Sequence, residues 1–216
     1  MSKPLMTHIM AGYREKWLPM ALKSLQDQDE PNIEIIVADT SEKGLNLKVD
    51  DPRVTVIRSD WHTSYNKMIK MAKADIVSLW SDDDIAYTDK TSLLLPFMEH
   101  CDVCVGTLDT DTGNTQVGSL NFGAVRKTVF TEHGIWINEE MIIKDAIFIL
   151  DCLFRKMRFC VCHKPTGLYR TQTGITVTRG SEISRERFWL ETEYIPSLER
   201  KYGHIEDRSI WYDGAR

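Results

Sequence analysis

The sequence lacks the long apolar runs, the blocks of like charge and the glycine-rich loops that mark several protein classes. No apolar run approaches the length of a membrane-spanning helix, and the start MSKPLMTHIM lacks the apolar stretch of a signal peptide. Lysine and arginine are scattered among acidic residues at a formal net charge of -5, so no broad nucleic-acid footprint is visible. Neither G-x-G-x-x-G nor G-x-x-x-x-G-K-[ST] occurs, which removes most support for a dehydrogenase or a P-loop protein.

Cysteine is scarce and odd in number, with five residues in 216. Together with the polar start, this predicts a cytoplasmic protein with reduced thiols. Cys101-x-x-Cys104, followed by Cys160-x-Cys162 and His163, raises the alternative of a zinc site. These cysteines lie in strand-like runs, DVCVG and RFCVCH, where cysteine behaves as a small apolar residue. The spacing of a tight zinc knuckle is missing, so we favour the structural interpretation.

Strand-like and helix-like segments alternate in the first half of the chain. The near-continuous apolar run in IEIIVAD is typical of a strand that is covered on both faces. This alternation predicts an α/β fold with a mostly parallel, Rossmann-like sheet, helices on both faces and a single compact domain. The predicted strands are LMTHIMAG, IEIIVAD, RVTVI and DIVSLW, and the predicted helices are EKWLPMALKSLQDQ and TSYNKMIKMAKA.

The second half is less regular. Helical spacing from Ile143 onward puts Asp145 in the first turn of a helix with a buried face. A further helix is predicted near residues 184–194, with Pro196 interrupting it. The remaining segments are a helix in TDKTSLLLPFMEHC, a strand in DVCVG, a polar turn-rich stretch in LDTDTGNTQVG, a short helix in KTVFTEHG and two strands in RFCVCH and TGLYR.

Three consecutive carboxylates, Asp82 to Asp84, follow the predicted strand DIVSLW. Open parallel sheets bind ligands at the carboxyl ends of their strands, and adjacent like charges repel one another unless a cation lies between them. A hard divalent cation such as Mg²⁺ or Mn²⁺ would neutralise them and bridge a diphosphate. The alternative is a solvated turn, in which aspartate is common.

Asp39 follows the second strand and has two interpretations of the same kind. It can form a turn with Thr40 and Ser41, or its carboxylate can accept hydrogen bonds from the base or ribose of a nucleotide.

Two stretches of the chain resemble the family 2 glycosyltransferases, which have the GT-A fold. IMAGYREKWLPMALKSLQDQDEPNIEIIVADTS and the segment up to SLWSDDDI resemble the amino-terminal half of that family. NFGAVRKTVFTEHG and KDAIFILDCLFRKMRFCVCHKPTGLYR resemble the carboxyl-terminal half, so the similarity covers about residues 4–173 in collinear order. The resemblance implies inverting transfer of a hexosyl or pentosyl group from a nucleoside diphosphate sugar to an acceptor hydroxyl or amine.

The resemblance also divides the expected domain, residues 1–216, into functional parts. About residues 1–105 would bind the nucleotide sugar, residues 106–178 would hold the acceptor and the catalytic base, and residues 179–216 would form a tail.

The donor-binding residues are carried over from the family position by position. Ala11, Gly12 and Tyr13 match the loop that lines the nucleotide, and Arg14 stands where the family usually has Asn. Asp39 matches the acid that reads the base, which is most often uracil in the family. A UDP-linked sugar is therefore the expected donor.

Ser81-Asp82-Asp83 matches the family's D-x-D motif, with Ser in place of the first acid. The resemblance implies that Asp83 is the direct ligand of a Mn²⁺ or Mg²⁺ ion, that Asp84 supports it, and that Asp82 lies near the ribose.

Lys144-Asp145 matches the family's Glu-Asp pair, which makes Asp145 the expected catalytic base. Glu139 and Glu140 are the nearest substitutes if the loop is shifted. The alternative for Asp145 is an acid that only stabilises its helix through the helix dipole.

Tyr169-Arg170-Thr171-Gln172 departs from the family's Tyr-Arg-x-His. The missing histidine removes one metal ligand, so neutralisation of the diphosphate would fall partly to Arg170 or Lys67.

The acceptor is not identified by any motif, and a glycan is favoured over nucleic acid. A hydroxylated DNA base stays an alternative, because some phage-encoded transferases use one. The basic residues that could then contact phosphate are Arg126, Lys127, Arg155, Lys156 and Arg158. A nucleotidyltransferase and an inactive nucleotide-binding scaffold of the same fold are the other functional alternatives, and no feature predicts an oligomeric state.

Overall fold

The computed structural model describes residues 2–45, 47, 49–171 and 180–205. Its strands are β1 (Met6–Gly12), β2 (Ile33–Asp39), β3 (Val54–Arg58), β4 (Ile76–Ser81), β5 (Ile85–Ala86), β6 (Val103–Thr110), β7 (Thr115–Arg126) and β8 (Phe159–Tyr169). Its helices are α1 (Leu18–Gln26), α2 (Ser64–Met71), α3 (Lys90–Met98), α4 (Lys127–Thr131), α5 (Lys144–Phe154), α6 (Gly180–Trp189), a π-helix (Leu190–Tyr194) and α7 (Ile195–Tyr202). None of the helices within the described residues is long and apolar enough to cross a membrane.

The strands form one eight-stranded sheet in the order β3-β2-β1-β4-β7-β6-β8-β5. The four strands predicted in the first half are all parallel to one another, as expected. The second half is mixed, because β7 is antiparallel to both β4 and β6, while β8 is parallel to β6 and antiparallel to β5. The prediction of a mostly parallel sheet therefore holds for the first half and needs correction for the second.

Alternate side chains of each central strand enter different apolar layers, because successive residues of a strand point to opposite faces of the sheet. Ile9 of β1 belongs to a layer that α2 and α5 cover, whereas the neighbouring Met10 packs in a layer with α1. Both faces of the sheet are therefore covered by helices, as the sequence predicted. This leaves the loops at the strand ends to form the functional surface.

Three details of the second half differ from the predictions. The polar stretch LDTDTGNTQVG belongs to a β-hairpin, since β6 continues to Thr110 and β7 begins at Thr115. The runs RFCVCH and TGLYR form the single strand β8. Pro196 lies in the first turn of α7, where its missing N–H is not needed, so helical structure continues through the π-helix across this position.

Candidate active site

The loops after β1, β2 and β4 meet at one edge of the sheet. Gly12 is the register partner of Asp39, and Ala11 is the partner of Ser81. Three of the sequence segments proposed to bind the donor are thus neighbours, although up to 70 residues separate them along the chain.

Asp82 fixes the shape of the first loop. Its Oδ2 atom accepts hydrogen bonds from the backbone N–H groups of Tyr13 and Arg14, both at 2.9 Å, and its Oδ1 atom pairs with the Arg14 guanidinium. Gly12 is required here, because a Cβ atom at this position would come within 2.3 Å of Leu18 Cδ1 and 2.9 Å of Asp82 Cβ. The carboxylate of Asp82 therefore has a structural role within the predicted donor site.

The other two acids of the triplet contact Arg14 and Arg170. Asp83 Oδ1 lies 3.4 Å from Arg14 Nη1. Asp84 Oδ1 accepts the backbone N–H of Arg170 at 3.1 Å, and the Arg170 guanidinium donates to the backbone carbonyl of Asp83 at 3.0 Å. All three acids of the triplet are buried. The interpretation of a solvated turn is therefore not supported by the structure.

Burial raises the pKa of Asp84 to about 8, and the neighbouring charge of Asp83 adds to this effect. The pKa of Asp82 is also raised by burial, although Arg14 opposes the shift. The carboxylate oxygens of the triplet are hard donors, which is the kind that Mg²⁺ and Mn²⁺ prefer. Within the part of the chain that the structure describes, no group of three or more His, Cys, Asp or Glu side chains could hold a metal. The protein would then contribute one or two carboxylates and the diphosphate would contribute further oxygen ligands.

The structure also shows the surroundings of the cysteines that were considered for a zinc site. All five cysteines are free thiols, and three of them, Cys101, Cys104 and Cys162, lie in an apolar cluster with α3. Their Sγ atoms have backbone carbonyl oxygens as hydrogen-bond acceptors. Four of the five cysteines are buried and Cys160 is partly buried, which agrees with the interpretation of these residues as small apolar side chains.

Asp39 stabilises its own loop. Its carboxylate accepts hydrogen bonds from Ser41 N at 3.0 Å, Ser41 Oγ at 2.7 Å, Leu45 N at 2.7 Å and Arg58 Nη1 at 2.7 Å. The pKa of Asp39 is lowered by these hydrogen bonds, which outweigh the effect of burial. Lys67 donates to the backbone carbonyl of Arg58 at 3.1 Å, so it lies beside this loop. The proposed contacts of Asp39 and Lys67 with the donor stay predictions.

Asp145 lies in the first turn of α5, as predicted. Burial raises its pKa, while the backbone N–H groups of Ala146 and of Asp145 itself and the charge of Lys144 act in the opposite direction. Burial raises the pKa of Tyr65, and the charges of Asp82, Glu139, Asp145 and Asp83 add to this effect. Two contacts of Tyr65 connect the acids: its hydroxyl donates to the Trp80 carbonyl at 3.5 Å, two residues before Asp82, and its ring lies 4.9 Å from Nζ of Lys144, beside Asp145. The sequence showed Tyr65 only as an apolar position of α2.

Lys144 lies against two aromatic rings next to Asp145. Its Nζ atom is 4.1 Å from the ring centroid of Trp61 and 4.9 Å from that of Tyr65. This atom is buried and has no hydrogen-bond partner among the described residues. Burial lowers the pKa of Lys144 to about 8, although Glu139 and Asp145 oppose the shift.

Trp61 also packs edge-to-face against Tyr13 at 5.8 Å between ring centroids. Trp61 also lies edge-to-face against Tyr65 at 6.5 Å, so the three rings form a contiguous aromatic cluster between the first loop and α5. The sequence analysis identified only Tyr13 of these three residues. Tyr65 shares a helical stripe with the apolar residues Met68 and Ile69, and this pattern could not distinguish it from an ordinary core residue.

Glu139, a possible substitute for Asp145, has another role in the structure. Its carboxylate accepts hydrogen bonds from the backbone N–H groups of Tyr65 at 2.6 Å and Asn66 at 3.2 Å, in the first turn of α2. The helix has no side-chain cap from its own N-cap residue, Thr63. Glu139 therefore holds the start of α2, whereas Glu140 is exposed.

Most of the basic residues considered for contact with DNA bind acceptors of the protein itself. Arg126 is the register partner of Ile76, at the opposite end of β4 from Asp82. Arg126 and Lys127 donate to backbone carbonyls, and Arg158 forms an ion pair with Asp102 at 2.7 Å. These cations satisfy acceptors within the protein itself. Gln172, which replaces the usual histidine, lies outside the described residues.

The family model for glycosyl transferase family 2 matches residues 8–149. The chain belongs to glycosyl transferase family 2. The match includes the first loop, the acidic triplet and Asp145, whereas Arg170 lies beyond it. A search of curated protein sequences gives no significant match.

Solved structures of other glycosyltransferases show the same GT-A fold. TarS 1-349 of S. aureus in complex with UDP matches with a TM-score of 0.65 and 18% identity, over 77% of this chain and 60% of that chain. TarS 1-349 in complex with UDP-GlcNAc gives a TM-score of 0.67 at 18% identity, over 78% and 59%. The mannosyltransferase PcManGT from Pyrobaculum calidifontis, in complex with GDP-Man and Mn²⁺, matches with a TM-score of 0.66 and 13% identity, over 99% of this chain and 74% of that chain. The chain thus spans about three fifths of the length of the TarS 1-349 structures that it matches.

Proposed function

We propose that this family 2 member transfers a sugar from a nucleoside diphosphate sugar to an acceptor hydroxyl with inversion at the anomeric carbon. The main support is the position of Tyr65 between the two groups of acids. Its hydroxyl donates to the Trp80 carbonyl at 3.5 Å, two residues before Asp82, and its ring centroid lies 4.9 Å from Nζ of Lys144, the neighbour of Asp145. A transferase of this kind needs a site for a diphosphate leaving group beside a general base, and the surroundings of Tyr65 offer both kinds of residue.

The nucleotide would lie along the loops after β1 and β2. Ala11, Gly12 and Tyr13 would line it, and Asp39 would read the base, for which its four hydrogen bonds within the loop would have to rearrange in part. We favour a UDP-linked donor, because the family most often reads uracil and the TarS structures hold UDP and UDP-GlcNAc.

The diphosphate would lie at the triplet. Asp83, supported by Asp84, would hold the metal ion, which when bound neutralises charge on the leaving diphosphate. The neighbour structure with GDP-Man and Mn²⁺ makes manganese a reasonable first choice. Arg14 and Arg170 both contact the triplet, so their guanidinium groups could take part of the phosphate charge when a histidine ligand is missing.

Asp145 would act as the general base. As the acceptor oxygen attacks the anomeric carbon, its proton passes to the Asp145 carboxylate. The bond from the anomeric carbon to the diphosphate oxygen breaks on the opposite face, and the diphosphate leaves with the electron pair. The sugar is then joined to the acceptor with inverted configuration.

A glycan acceptor is favoured over DNA, since Arg126 and Lys127 are at the far end of β4 and bind carbonyls of the protein. A cytoplasmic location, which would keep the five thiols reduced, is part of the proposal. Nucleotidyl transfer is less well supported, because it would need a basic first loop that grips a triphosphate, whereas Arg14 is paired with Asp82.

The donor can be identified by thermal unfolding with UDP-, GDP-, TDP-, CDP- and ADP-sugars, each with and without Mn²⁺. We expect one nucleotide class to stabilise the protein by about 2.7 kcal/mol at a concentration of 100 times Kd. This corresponds to a rise in Tm of roughly 5–10 °C. The rise should depend on Mn²⁺ and be lost in Asp83→Ala.

Asp50→Ala is the matched control, because Asp50 is exposed. It should keep the full metal-dependent rise in Tm. If no donor stabilises the wild-type protein, the proposed function is contradicted and a scaffold of the same fold becomes the better account.

A further inference from the structure

The helix that carries Asp145 has no side-chain cap of its own. Its N-cap residue is Ile143, which cannot accept a hydrogen bond through its side chain. The first N–H groups of a helix have no partners within the helix and usually need a side-chain acceptor. The position of Asp145 in the first turn therefore depends on what fixes the residues just before it.

Glu186 of α6, from a distant part of the chain, is the acceptor for the two residues just before α5. Its Oε2 atom accepts the backbone N–H groups of Ile142 at 2.9 Å and Ile143 at 3.0 Å, and its Oε1 atom lies 3.1 Å from the N atom of Ile142. Both carboxylate oxygens are directed at the turn that leads into α5. A carboxylate bound to backbone N–H groups makes stronger hydrogen bonds than a neutral acceptor.

The carboxyl-terminal helices hold α5 at a second point. The Tyr194 hydroxyl donates to Asp151 Oδ1 at 2.7 Å, in the middle of α5. The π-helix that contains Tyr194 continues from α6, so Glu186 and Tyr194 belong to one helical segment. Two contacts on the same helix restrain both its position and its direction.

A charged neighbour of Glu186 also affects the acid in α5. The positive charge of Arg187 acts to lower the pKa of Asp145, as does that of Lys144. The carboxyl-terminal segment therefore contributes to the surroundings of Asp145 by electrostatics as well as by hydrogen bonds.

We propose that Glu186 is a positioning residue for Asp145, which fixes the start of α5 and so directs the Asp145 carboxylate toward the donor. This inference rests on the proposed role of Asp145 as the base. It makes the carboxyl-terminal helices part of the catalytic unit, although they contain none of the residues assigned to the donor or the metal.

The first test needs neither donor nor acceptor. Hydrogen exchange of the backbone amides of residues 142–146 should be several-fold to about tenfold faster in Glu186→Ala, because the hydrogen bonds to Ile142 and Ile143 are lost. Glu191→Ala is the matched control, since Glu191 is an exposed acid of the following π-helix, and it should leave this exchange unchanged. Unchanged exchange in Glu186→Ala would overturn the proposal.

The second test separates positioning from a general loss of structure. The rate of donor hydrolysis, in which water replaces the acceptor, should fall about tenfold or more in Glu186→Ala, while the Kd for the donor stays within about twofold. UDP-GlcNAc and GDP-Man with Mn²⁺ are the probes. Glu186→Gln retains one acceptor oxygen, so its rate of donor hydrolysis should lie between those of the wild type and Glu186→Ala. It replaces the alanine variant in this test if that variant does not fold.

A double variant decides whether Glu186 acts through Asp145. In the Asp145→Asn background, Glu186→Ala should cause little further loss, because two residues that act through the same group are not additive. If Glu186→Ala lowers the rate of donor hydrolysis by the same factor in both backgrounds, the proposal is overturned. A failure of the proposed function would give a different result. Asp145→Asn would then keep the wild-type rate of donor hydrolysis, while amide exchange of residues 142–146 would still be faster in Glu186→Ala.

Discussion

At the scale of single residues, the chemistry depends on how buried charges balance one another. Burial raises the pKa of Asp145, and the positive charges of Lys144 and Arg187 partly offset this rise. Lys144 itself is held against Trp61 and Tyr65 with a pKa of about 8. A lysine beside the base, where the family has an acid, therefore favours the deprotonated carboxylate that a general base needs.

Replacement of Lys144 should change the pH dependence of turnover. With Asp145 as the proposed base, activity should be lost as the pH falls through the pKa of Asp145, because the protonated acid cannot accept a proton. Lys144→Met removes a charge that lowers this pKa, so the acid limb of the kcat profile should move to higher pH. The kcat for donor hydrolysis, measured from pH 4 to 9 in buffers of equal ionic strength, tests this expectation.

Lys70→Met is the matched control, since Lys70 lies over the ring of Trp136 at 5.3 Å, away from the groups that affect Asp145. Its acid limb should coincide with that of the wild type. An unshifted acid limb in Lys144→Met would show that the lysine does not tune the base.

The sequence predicted the acidic residues better than it predicted their partners. Asp82 to Asp84 stood out because three like charges follow an apolar strand. Lys144 and Lys90 gave no such signal, since lysine is usually exposed. Lys90 is fully buried with its Nζ atom 4.6 Å from the ring centroid of Trp80, a contact that only the assembled fold creates.

At the scale of elements, two helices of the site begin with a carboxylate that comes from elsewhere in the chain. Glu139 holds the start of α2, and Glu186 holds the turn before α5. Neither helix has a side-chain cap from its own N-cap residue. Local helix-start signals were therefore missing from the sequence at both places, and tertiary contacts replace them.

Loss of the Glu139 carboxylate should destabilise the protein. Glu139→Ala leaves the N–H groups of Tyr65 and Asn66 without their acceptor, which should lower the free energy of unfolding by about 1–2 kcal/mol. For a chain of this size, the Tm would fall by roughly 2–8 °C. Calorimetry of the variant in the absence of donor measures this change.

The neighbouring residue provides the control, because Glu140 is exposed and its side chain caps no helix. Glu140→Ala should stay within about 0.5 kcal/mol of the wild type. Equal effects of the two substitutions would mean that the hydrogen bonds of Glu139 do not stabilise α2.

At the scale of the whole molecule, the parallel pairing of the strands in the first half followed from the alternation of helices and strands. The second half could not be predicted in the same way, because its pairings are non-local. The antiparallel contact of β7 with β4 and the parallel contact of β8 with β6 join segments that are 40 or more residues apart. Hydrophobic patterns identify strands but do not choose their partners.

The contacts of the carboxyl-terminal helices could not be predicted from the sequence either. Charged and aromatic residues mixed in the tail predicted a helix, and nothing in that pattern related it to α5. The contacts of Glu186 and Tyr194 with α5 appear only in the folded chain. One sheet with a donor edge, and a helical segment that supports the base, is the arrangement on which the proposed transfer depends.

The most direct measurement follows Asp145→Asn beside the wild type, with the donor that the thermal panel selects. Donor affinity is measured by titration, and the release of nucleoside diphosphate and the anomeric configuration of the released sugar are followed by NMR. We predict that the wild type gives sugar of inverted configuration, and that Asp145→Asn binds the donor within about twofold but turns it over at least 100-fold more slowly. Retained turnover in the variant, or retained configuration in the wild type, would contradict the proposed inverting mechanism.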